Sequence, residues 1–536
     1  MMSFRTFYKI KSHWLILILA AYFAFILNLG LWQFVFEQVE ITSSTMLLFV
    51  VSLLCLLMIL FTWFFSLLLI PVLGKPIIIG LLLISSAVNC FTYTMGVVID
   101  SDMIRNVFET DLREASDFVT WSNFCWVLVT GILPAVLLAL CKIQYQSCKK
   151  ELLLRTVFFL VGAMVIGGFS VPLTKEYTSF LRNHSKARKL VNTFYYINST
   201  VQYFHKDSLA NREFVWLDRE VTSGNSDGKN LLILVVGEAA RVMNFSLNGY
   251  ERETNPLLSE QNIINFNKAA SCGTATAVSV PCIFSHKGRR DFDVNEAKHT
   301  QNLMDILLMA DYEILWLEND SGCKGVCNRV PMEDFVKIGN KEHCEKDYCR
   351  DEAMLARLEE RIRNHDKNEV IVVHSMGSHG PSYYRRYPES FRKFTPTCDT
   401  ADIHRCSREE IVNTYDNTIL YTDYFLSTII DIAKRFPDKK ISILYASDHG
   451  ESLGENGAYL HGLPYAIAPQ EQKNIPFFLW LSDTEKKRVD YACLQTKAVN
   501  EPVSHDHIFH SILGFLSVKT KLFDPSLDIF QGCYKE

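Results

Sequence analysis

Five long apolar runs in the first 175 residues constrain the fold of this chain more than any other feature. Each run is near the ~20 residues that an α-helix needs to cross a ~30 Å hydrocarbon core, and none has a charge at its centre. A buried protein core explains one or two such runs but not five, so we predict a five-span membrane domain over residues 1–173. The first run lacks a small-residue cleavage site, which favours an anchor over a removed signal peptide. The runs are roughly 14–36, 46–70, 76–99, 123–142 and 152–173.

The positions of the basic residues predict how these spans are oriented. Lysine and arginine precede the first span and occupy the links between spans two and three and between spans four and five, whereas the link at 37–45 has no base and that at 100–122 is mainly acidic. The positive-inside rule then places the N-terminus in the cytoplasm, and five spans export everything after residue 173. The bases are Arg5, Lys9, Lys11, Lys75, Lys142, Lys149 and Lys150.

The cysteines point independently to export. Ten of the fifteen cysteines follow residue 270, and most of them form close neighbours in sequence. An even set at short spacings is typical of disulfides formed in an oxidising compartment. A structural zinc site is the alternative, but the C-x2-C repeats that such sites favour are absent from these pairs. The predicted pairs are Cys272/Cys282, Cys323/Cys327, Cys344/Cys349, Cys398/Cys406 and Cys493/Cys533.

A connector of residues 174–228 joins the spans to the exported part. From about 175 to 206 it mixes aromatic and aliphatic residues with bases, a pattern of an amphipathic helix on a membrane surface or of a solvated connector helix. The polar, glycine-bearing loop Ser223–Lys229 marks its end. A net charge of −5 and a pI near 6.3 give no reason to expect nucleic acid as a partner.

Residues 229–536 have the pattern of an α/β domain. Four apolar strand candidates alternate with helical stretches such as 354–365 and 412–434, which favours a mostly parallel sheet covered on both faces. In such folds ligands bind beyond the carboxyl ends of the strands. The strand candidates are 230–238, 312–319, 369–377 and 441–451.

Three of these strands end in residue types that bind metals. The first ends at Glu238, the third leads through His374 to His379, and the fourth delivers Asp448 and His449, with His461 twelve residues later. Mixed oxygen and nitrogen ligands suit a catalytic zinc or manganese, because such a site keeps an open position. Taken singly, Glu238 is more readily a helix cap and each histidine a core or surface residue, but their joint position at strand ends favours the metal site.

A candidate nucleophile lies in the segment Ser271–Ser279, sequence SCGTATAVS. Its small hydroxyl residues suit a helix start whose backbone N–H groups face an anion, although an ordinary capped helix has the same pattern. Because a threonine hydroxyl is a weak nucleophile, it needs a divalent cation to stabilise its alkoxide. The spacing alone does not distinguish Thr274 from Thr276.

Together these segments resemble a known family. The stretches VVGEAARVMNFSLNGYERETNP, SCGTATAVSVPC, GSHGP and SDHGESLGENGAYLHG are similar to those of the phosphoethanolamine transferases of Gram-negative inner membranes. The lipid A-modifying branch, with the mobile colistin-resistance enzymes, is the most similar, and the resemblance covers essentially the whole chain. It implies a multi-pass helical membrane domain followed by a periplasmic α/β/α domain of the alkaline phosphatase-like, sulfatase type.

The resemblance also implies roles for individual residues. It makes Glu238, Thr276, Asp448 and His449 the ligands of one tightly bound zinc ion, and Thr276 the residue that becomes modified. It places His379 and His461 against the substrate phosphate or a second zinc. Lys324 matches a residue that contacts the donor head group, with Asn319 and Asp320 as further candidates in the same segment.

The activity implied is transfer of phosphoethanolamine from phosphatidylethanolamine to a lipid A phosphate, through a phospho-threonine intermediate. The added amine lowers the negative charge of the cell surface and thereby gives polymyxin resistance. We expect a monomer in the inner membrane. Core oligosaccharide or a periplasmic glucan is the alternative acceptor.

Three other functions share some of these sequence features. A glycerol-phosphate transferase of the lipoteichoic acid synthase type shares the spans and the threonine, but the cysteine-rich exported part argues against it. A sulfatase is disfavoured because the formylglycine signal C-x-P/S-x-R is missing at the nucleophile. A catalytically inactive binding module is disfavoured because Glu238, Thr276, Asp448 and His449 are all present.

Overall fold

The computed structural model divides the chain into two units. They comprise Met1–Ser101 with Val119–Val201, and Asp102–Phe118 with Gln202–Glu536. The residues described are 8–109, 118–170, 172–173, 176–177, 180, 184–208, 213–224, 229–339, 342–345, 348–401 and 403–535. Arg5 and parts of the predicted connector, including most of the loop Ser223–Lys229, lie outside the described residues.

The first unit confirms the predicted membrane domain. Among the described residues, four helices are long and apolar enough to cross a membrane: Ser44–Leu68, Gly74–Met95, Trp121–Leu140 and Cys148–Phe169. The first apolar run is a helix pair, Ser12–Ile26 and Leu29–Gln38, bent by 53°, and it makes a fifth span if the pair crosses as one. Two short strands of this unit, Tyr8–Lys11 and Cys141–Gln144, pair in parallel.

Side-chain amides explain the bend in the first run. The break leaves backbone groups without helical partners, and no water is present in a hydrocarbon core to satisfy them. Asn89 accepts from the Leu29 amide at 3.0 Å and donates to the Ile26 carbonyl at 3.1 Å. Asn192 donates to the Leu27 carbonyl at 2.6 Å. The bend is therefore fixed by residues from distant parts of the chain.

The described connector residues up to Val201 pack within the same unit. This stretch contains the helix Ser185–Lys189 and the first part of the helix Phe194–Ser208. Phe180 packs its ring edge-on against Phe49 with centroids 5.5 Å apart, and the Tyr196 hydroxyl lies 3.2 Å from that of Ser85. The apolar side chains of this stretch thus contact the membrane helices.

The second unit, named the exported unit after the orientation expected from the sequence, contains the predicted mostly parallel sheet, now with seven strands. In chain order they are β1 (Asn230–Gly237), β2 (Ile264–Asn265), β3 (Glu313–Glu318), β4 (Met332–Asp334), β5 (Glu369–His374), β6 (Lys440–Ser447) and β7 (Phe477–Leu481). Across the sheet the order is β2-β7-β6-β1-β5-β3-β4. Strands β6, β1, β5, β3 and β4 run parallel, while β7 is antiparallel to β6 and β2 to β7.

Helices cover both faces, because alternate side chains of each strand point to opposite sides. In β1, Leu232 and Leu234 join one buried cluster and Leu231 and Ile233 join the other. The first cluster is covered by helices Thr276–Ile283, Leu303–Met309, Tyr491–Asn500 and Asp506–Phe515. The second is covered by Leu355–Asn364 and Arg408–Lys434. The carboxyl ends of β1, β5 and β6 meet at one edge of this α/β/α sandwich.

All five predicted disulfides form in the exported unit, and the five cysteines of the membrane unit are free thiols. Two-stranded ladders supplement the sheet: Thr222–Ser223 with Val518–Lys519, Ala269–Ala270 with Val503–Ser504, Cys344–Glu345 with Tyr348–Cys349, and Ser452–Leu453 with Tyr459–Leu460. Short helices Val294–Ala297 and Phe335–Ile338 complete the unit.

One helix between the third and fourth apolar runs, Ser101–Glu109, packs almost entirely within the exported unit. Arg105 contacts Asn295 at 3.4 Å, and Glu109 pairs with Lys298. The exported unit therefore includes a piece of chain that precedes the fourth span.

Candidate active site

The structure separates the two candidate threonines. The Thr274 hydroxyl donates to the Leu463 carbonyl at 2.6 Å, so its proton is used inside the protein. Thr276 begins the helix Thr276–Ile283, and its hydroxyl donates to Glu238 Oε2 at 3.0 Å. The geometry accordingly favours Thr276 as the reacting group.

The loop before Thr276 is tightly held. The Cys272–Cys282 disulfide closes it onto the helix. A Cβ at Gly273 would lie 2.9 Å from side-chain atoms of Val278 and Ser279, so only glycine fits. The Gly273 amide donates to the Ser279 hydroxyl at 3.1 Å. These contacts hold the loop that leads into Thr276.

His505 connects this loop to strand β6, a link that sequence reasoning missed. Its Nδ1 accepts from the Cys272 amide at 3.1 Å and its Nε2 donates to the Ser447 carbonyl at 2.9 Å. Ser447 directly precedes Asp448. One fully buried ring therefore ties the threonine loop to the strand that ends in two candidate ligands.

Four predicted ligands come together at the carboxyl ends of β1 and β6. His449 Nε2 lies 3.3 Å from Glu238 Oε1, 3.3 Å from Asp448 Oδ2 and 3.4 Å from the Thr276 hydroxyl. A tetrahedron with metal–ligand bonds of about 2.0–2.1 Å has edges of about 3.3–3.4 Å. The set is thus spaced for one tetrahedral cation.

Unsatisfied buried atoms support this assignment. Glu238 Oε1 and Asp448 Oδ2 are buried and lack a hydrogen-bond partner, which is costly for carboxylate oxygens. Burial and the neighbouring Asp448 raise the pKa of Glu238. His449 Nδ1 donates to the Gly450 carbonyl at 2.9 Å, which leaves Nε2 with its lone pair facing the carboxylates. A zinc ion fits these residues.

The predicted histidines lie beside this cluster. The His461 ring centroid is 4.2 Å from that of His449 and 5.6 Å from that of His379. His461 Nδ1 donates to Glu451 Oε2 at 2.9 Å, and the other oxygen of Glu451 accepts from the Tyr383 hydroxyl at 2.9 Å. Glu451 and Tyr383 were not predicted as site residues from the sequence, although Glu451 lies within the SDHGE motif. They fix the orientation of the His461 ring.

The residues of the segment 319–324 take different positions. Lys324 Nζ donates to the Ser321 carbonyl and hydroxyl at 3.0 and 2.8 Å. Asn319 is fully buried, and its amide nitrogen donates to Asp351 at 2.7 Å, a structural contact. Asp320 instead lies beside Glu238 and His374.

His374 forms a second cluster behind the first. Its Nδ1 contacts both oxygens of Glu318, at 3.1 and 2.9 Å, and its Nε2 lies 3.7 Å from Asp320 Oδ2. Burial lowers the pKa of His374, but the charges of Glu318 and Asp320 outweigh this and raise it to about 9. Burial opposes ionisation of Asp320, yet His374 and His379 lower its pKa to about 2.

Comparison with known proteins places this geometry in context. The family model "Phosphoethanolamine transferase EptA/EptB" matches residues 57–208, and the sulfatase family model matches residues 230–518. The chain is 42% identical to the phosphoethanolamine transferase EptA of Escherichia coli K12 over 469 residues, 86% of each chain. It is 35% identical to the phosphatidylethanolamine transferase Mcr-1 of Escherichia coli over 469 residues, 85% of this chain and 84% of that one.

A solved structure matches along nearly the whole length. The integral membrane lipooligosaccharide phosphoethanolamine transferase A of Neisseria meningitidis superposes with a TM-score of 0.95 at 37% identity, covering 97% of this chain and 99% of that one. The match includes both the apolar helices and the sulfatase-like domain.

Proposed function

Because the chain belongs to the phosphoethanolamine transferase family, whose members are enzymes that transfer phosphoethanolamine, we propose that it moves this group from phosphatidylethanolamine to a lipid A phosphate through Thr276. The observation that carries the proposal is the spacing of the Thr276 hydroxyl, Glu238, Asp448 and His449 for one tetrahedral cation. We propose zinc as that cation. When bound, it stabilises the threonine alkoxide and offsets charge on the phosphoryl oxygens.

In the first half-reaction, the Thr276 oxygen attacks the phosphorus of phosphatidylethanolamine and gives up its proton. Glu238 Oε2, 3.0 Å away, already accepts a hydrogen bond from that hydroxyl and draws its proton off the attacking oxygen. The P–O bond to diacylglycerol breaks and the glycerol oxygen takes a proton from His461 or His379. Phosphoethanolamine then remains on Thr276, and diacylglycerol departs.

In the second half-reaction, an oxygen of the acceptor phosphate attacks the phosphorus held on Thr276. The bond from phosphorus to Thr276 breaks, and the threonine oxygen takes back the proton that Glu238 held. The histidine that protonated diacylglycerol recovers its proton from the acceptor phosphate. His461 serves as a proton carrier because Glu451 orients its ring through Nδ1 beside the reacting groups. Lys324 supplies a positive charge that offsets phosphoryl oxygens.

The compartment is inferred from the cysteines. Five disulfides lie in the exported unit and none joins the cysteines of the membrane unit, a division typical of a domain on the oxidising side. We therefore place the sulfatase-like domain in the periplasm and the helices in the inner membrane. The Thr276 hydroxyl, Glu238, Asp448 and His449 lie together in one folded domain, which supports a monomer as the catalytic unit.

A lipid A acceptor has a consequence for resistance. Each added ethanolamine brings a positive amine to a negatively charged phosphate, which weakens binding of cationic peptides such as polymyxin and colistin. Relatives named phosphoethanolamine transferase and phosphatidylethanolamine transferase, at 42% and 35% identity, support the transfer step on which this consequence rests.

Mass spectrometry of lipid A tests the proposal. The chain is expressed in a polymyxin-sensitive host, beside Thr276→Ala and the matched control Thr274→Val. We expect a phosphoethanolamine-sized addition with the wild type and the control but not with Thr276→Ala. Unmodified lipid A from well-expressed wild type would refute the acceptor, and core oligosaccharide and glucans would be analysed next; modification by Thr276→Ala would refute the nucleophile.

A further inference from the structure

We infer that Glu238, Asp320 and His374 form a second divalent-cation site, buried behind the cluster that contains Thr276. A carboxylate oxygen from each acid and a ring nitrogen of His374 lie within 4.8 Å of one another. All three residues are buried. This site is distinct from any that His379 and His461 line, and it goes beyond the proposed transfer reaction.

The orientation of His374 is that of a metal ligand. Histidines that bind metals almost always donate their other ring N–H to a carboxylate, which fixes the ring and its tautomer. Glu318 fills this role at Nδ1, at 2.9 Å, and is itself held by the Trp316 indole N–H at 2.8 Å. His374 Nε2 is then the ring atom left to bind a cation.

His374 Nε2 is fully buried and has no hydrogen-bond partner. Asp320 Oδ2, 3.7 Å from His374 Nε2, is beyond hydrogen-bond distance. Two bonds of about 2.1 Å to atoms 3.7 Å apart subtend an angle of about 124°, within the range of a four-coordinate site. The separation of 3.7 Å between His374 Nε2 and Asp320 Oδ2 is too long for a hydrogen bond but suits a cation bound to both atoms.

Glu238 would connect the two sites. Its Oε1 lies with the His449 cluster, its Oε2 accepts from Thr276, and its carboxylate is also part of the His374 group. Carboxylates often bridge two cations in this way. Two carboxylates and one imidazole suit zinc or manganese, and neither calcium nor magnesium takes imidazole as a preferred ligand.

The charge of the pocket is consistent with an additional cation. Glu238, Asp320, Glu318 and Asp448 place four carboxyl groups in a fully buried region. A second divalent cation would neutralise two of these charges where water is absent.

Zinc content measures the site directly. The full-length chain in detergent is saturated with zinc, dialysed and analysed by mass spectrometry for metal per chain. We expect His374→Gln to hold one zinc fewer than the wild type. The control is His365→Gln, because His365 also contacts a carboxylate, Glu369 at 3.3 Å, but its Nε2 contacts the Lys229 carbonyl. This control should keep the wild-type content.

Two further measurements make the result independent of folding. Glu318→Gln should weaken the binding of one zinc by about 10–100-fold without removing a ligand. Anomalous diffraction at the zinc edge from wild-type crystals should show a peak within about 2.3 Å of His374 Nε2. Equal zinc content in wild type and His374→Gln, with no anomalous peak at that nitrogen, would overturn the inference and leave His374 as a buried imidazolium. Lipid A modification is not a readout, so this outcome is separate from failure of the proposed function.

Discussion

His505 offers a quantitative test of how the active-site loop is held. The ring makes two buried hydrogen bonds, one to the Cys272 amide and one to the Ser447 carbonyl. Two substitutions of His505 each keep one of these hydrogen bonds and remove the other. In His505→Asn the side-chain oxygen replaces Nδ1 and keeps the contact with Cys272. In His505→Gln the amide nitrogen replaces Nε2 and keeps the contact with Ser447.

The magnitudes follow from burial. Leaving one buried backbone group unsatisfied costs about 1–3 kcal/mol, so each variant should lose that much stability. At about 2 °C per kcal/mol for a domain of this size, Tm should fall by about 2–6 °C. Activity should separate the two variants, because only His505→Gln releases the loop that carries Thr276. A shift of about 1 Å in a reacting group costs about 100-fold in rate, so we expect a loss of 10- to 100-fold for Gln and less than 10-fold for Asn.

The pH dependence of stability gives an independent signature. Burial lowers the pKa of His505 below its ordinary value of 6.5. Below pH 6.5 the unfolded chain takes up a proton that the folded ring resists, so folded-state stability falls as pH falls, by up to about 1.4 kcal/mol per pH unit. His505→Asn lacks this proton uptake. The stability gap between wild type and His505→Asn should therefore narrow between pH 7.5 and 5.5.

Both properties are measured on the full chain in detergent micelles. Thermal unfolding gives Tm across the pH range, and release of diacylglycerol from a fluorescent phosphatidylethanolamine gives the rate. Equal rates for the Asn and Gln variants would show that the Cys272 contact does not position Thr276. A stability gap that stays constant with pH would show that His505 is not the neutral ring inferred here.

Three further predictions concern the orientation of His461, the metal and a disulfide. Glu451→Gln should lower the rate of diacylglycerol release by about 10–100-fold, since it removes a charge-assisted contact with His461, whereas Tyr383→Phe, which keeps that contact, should lower the rate less than 10-fold. Chelation of the metal should abolish diacylglycerol release and lower Tm, with recovery of both on adding zinc, because a ligand that binds only the folded state stabilises it. Cys493→Ser should cost about 4 kcal/mol, measured by denaturant unfolding, because its disulfide with Cys533 closes a 40-residue separation.

The sequence predicts the features that depend on local pattern. Apolar runs identify the spans because lipid imposes a length and an absence of charge on each one separately. Glu238 and the pair Asp448–His449 are predictable as a site because parallel strands deliver their carboxyl ends to one edge, whatever the details of packing. The close spacing of the cysteines likewise predicts pairs that the structure contains.

Features that depend on long-range packing are not visible in sequence. The bend after Ile26 is fixed by Asn89 and Asn192, which lie more than 60 residues away. The threonines of the nucleophile segment look equivalent until the Leu463 carbonyl is seen to accept the hydroxyl proton of Thr274. His505 gives no signal of its own, because a histidine in a C-terminal segment is ordinary until the fold brings it to Cys272.

Lys298 shows how an ion pair offsets a positive charge that borders a cavity. Glu109 forms an ion pair with this lysine and offsets its charge. Arg105, on the same helix as Glu109, contacts Asn295. A lysine paired in this way contributes less positive potential to nearby phosphoryl oxygens than a free one. Lys324 donates hydrogen bonds to uncharged oxygens of Ser321, and its positive charge helps to lower the pKa of the buried Asp320. The two lysines border one small cavity with Gly325 and Val326, so Glu109 and Asp320 already offset part of the positive charge at this cavity.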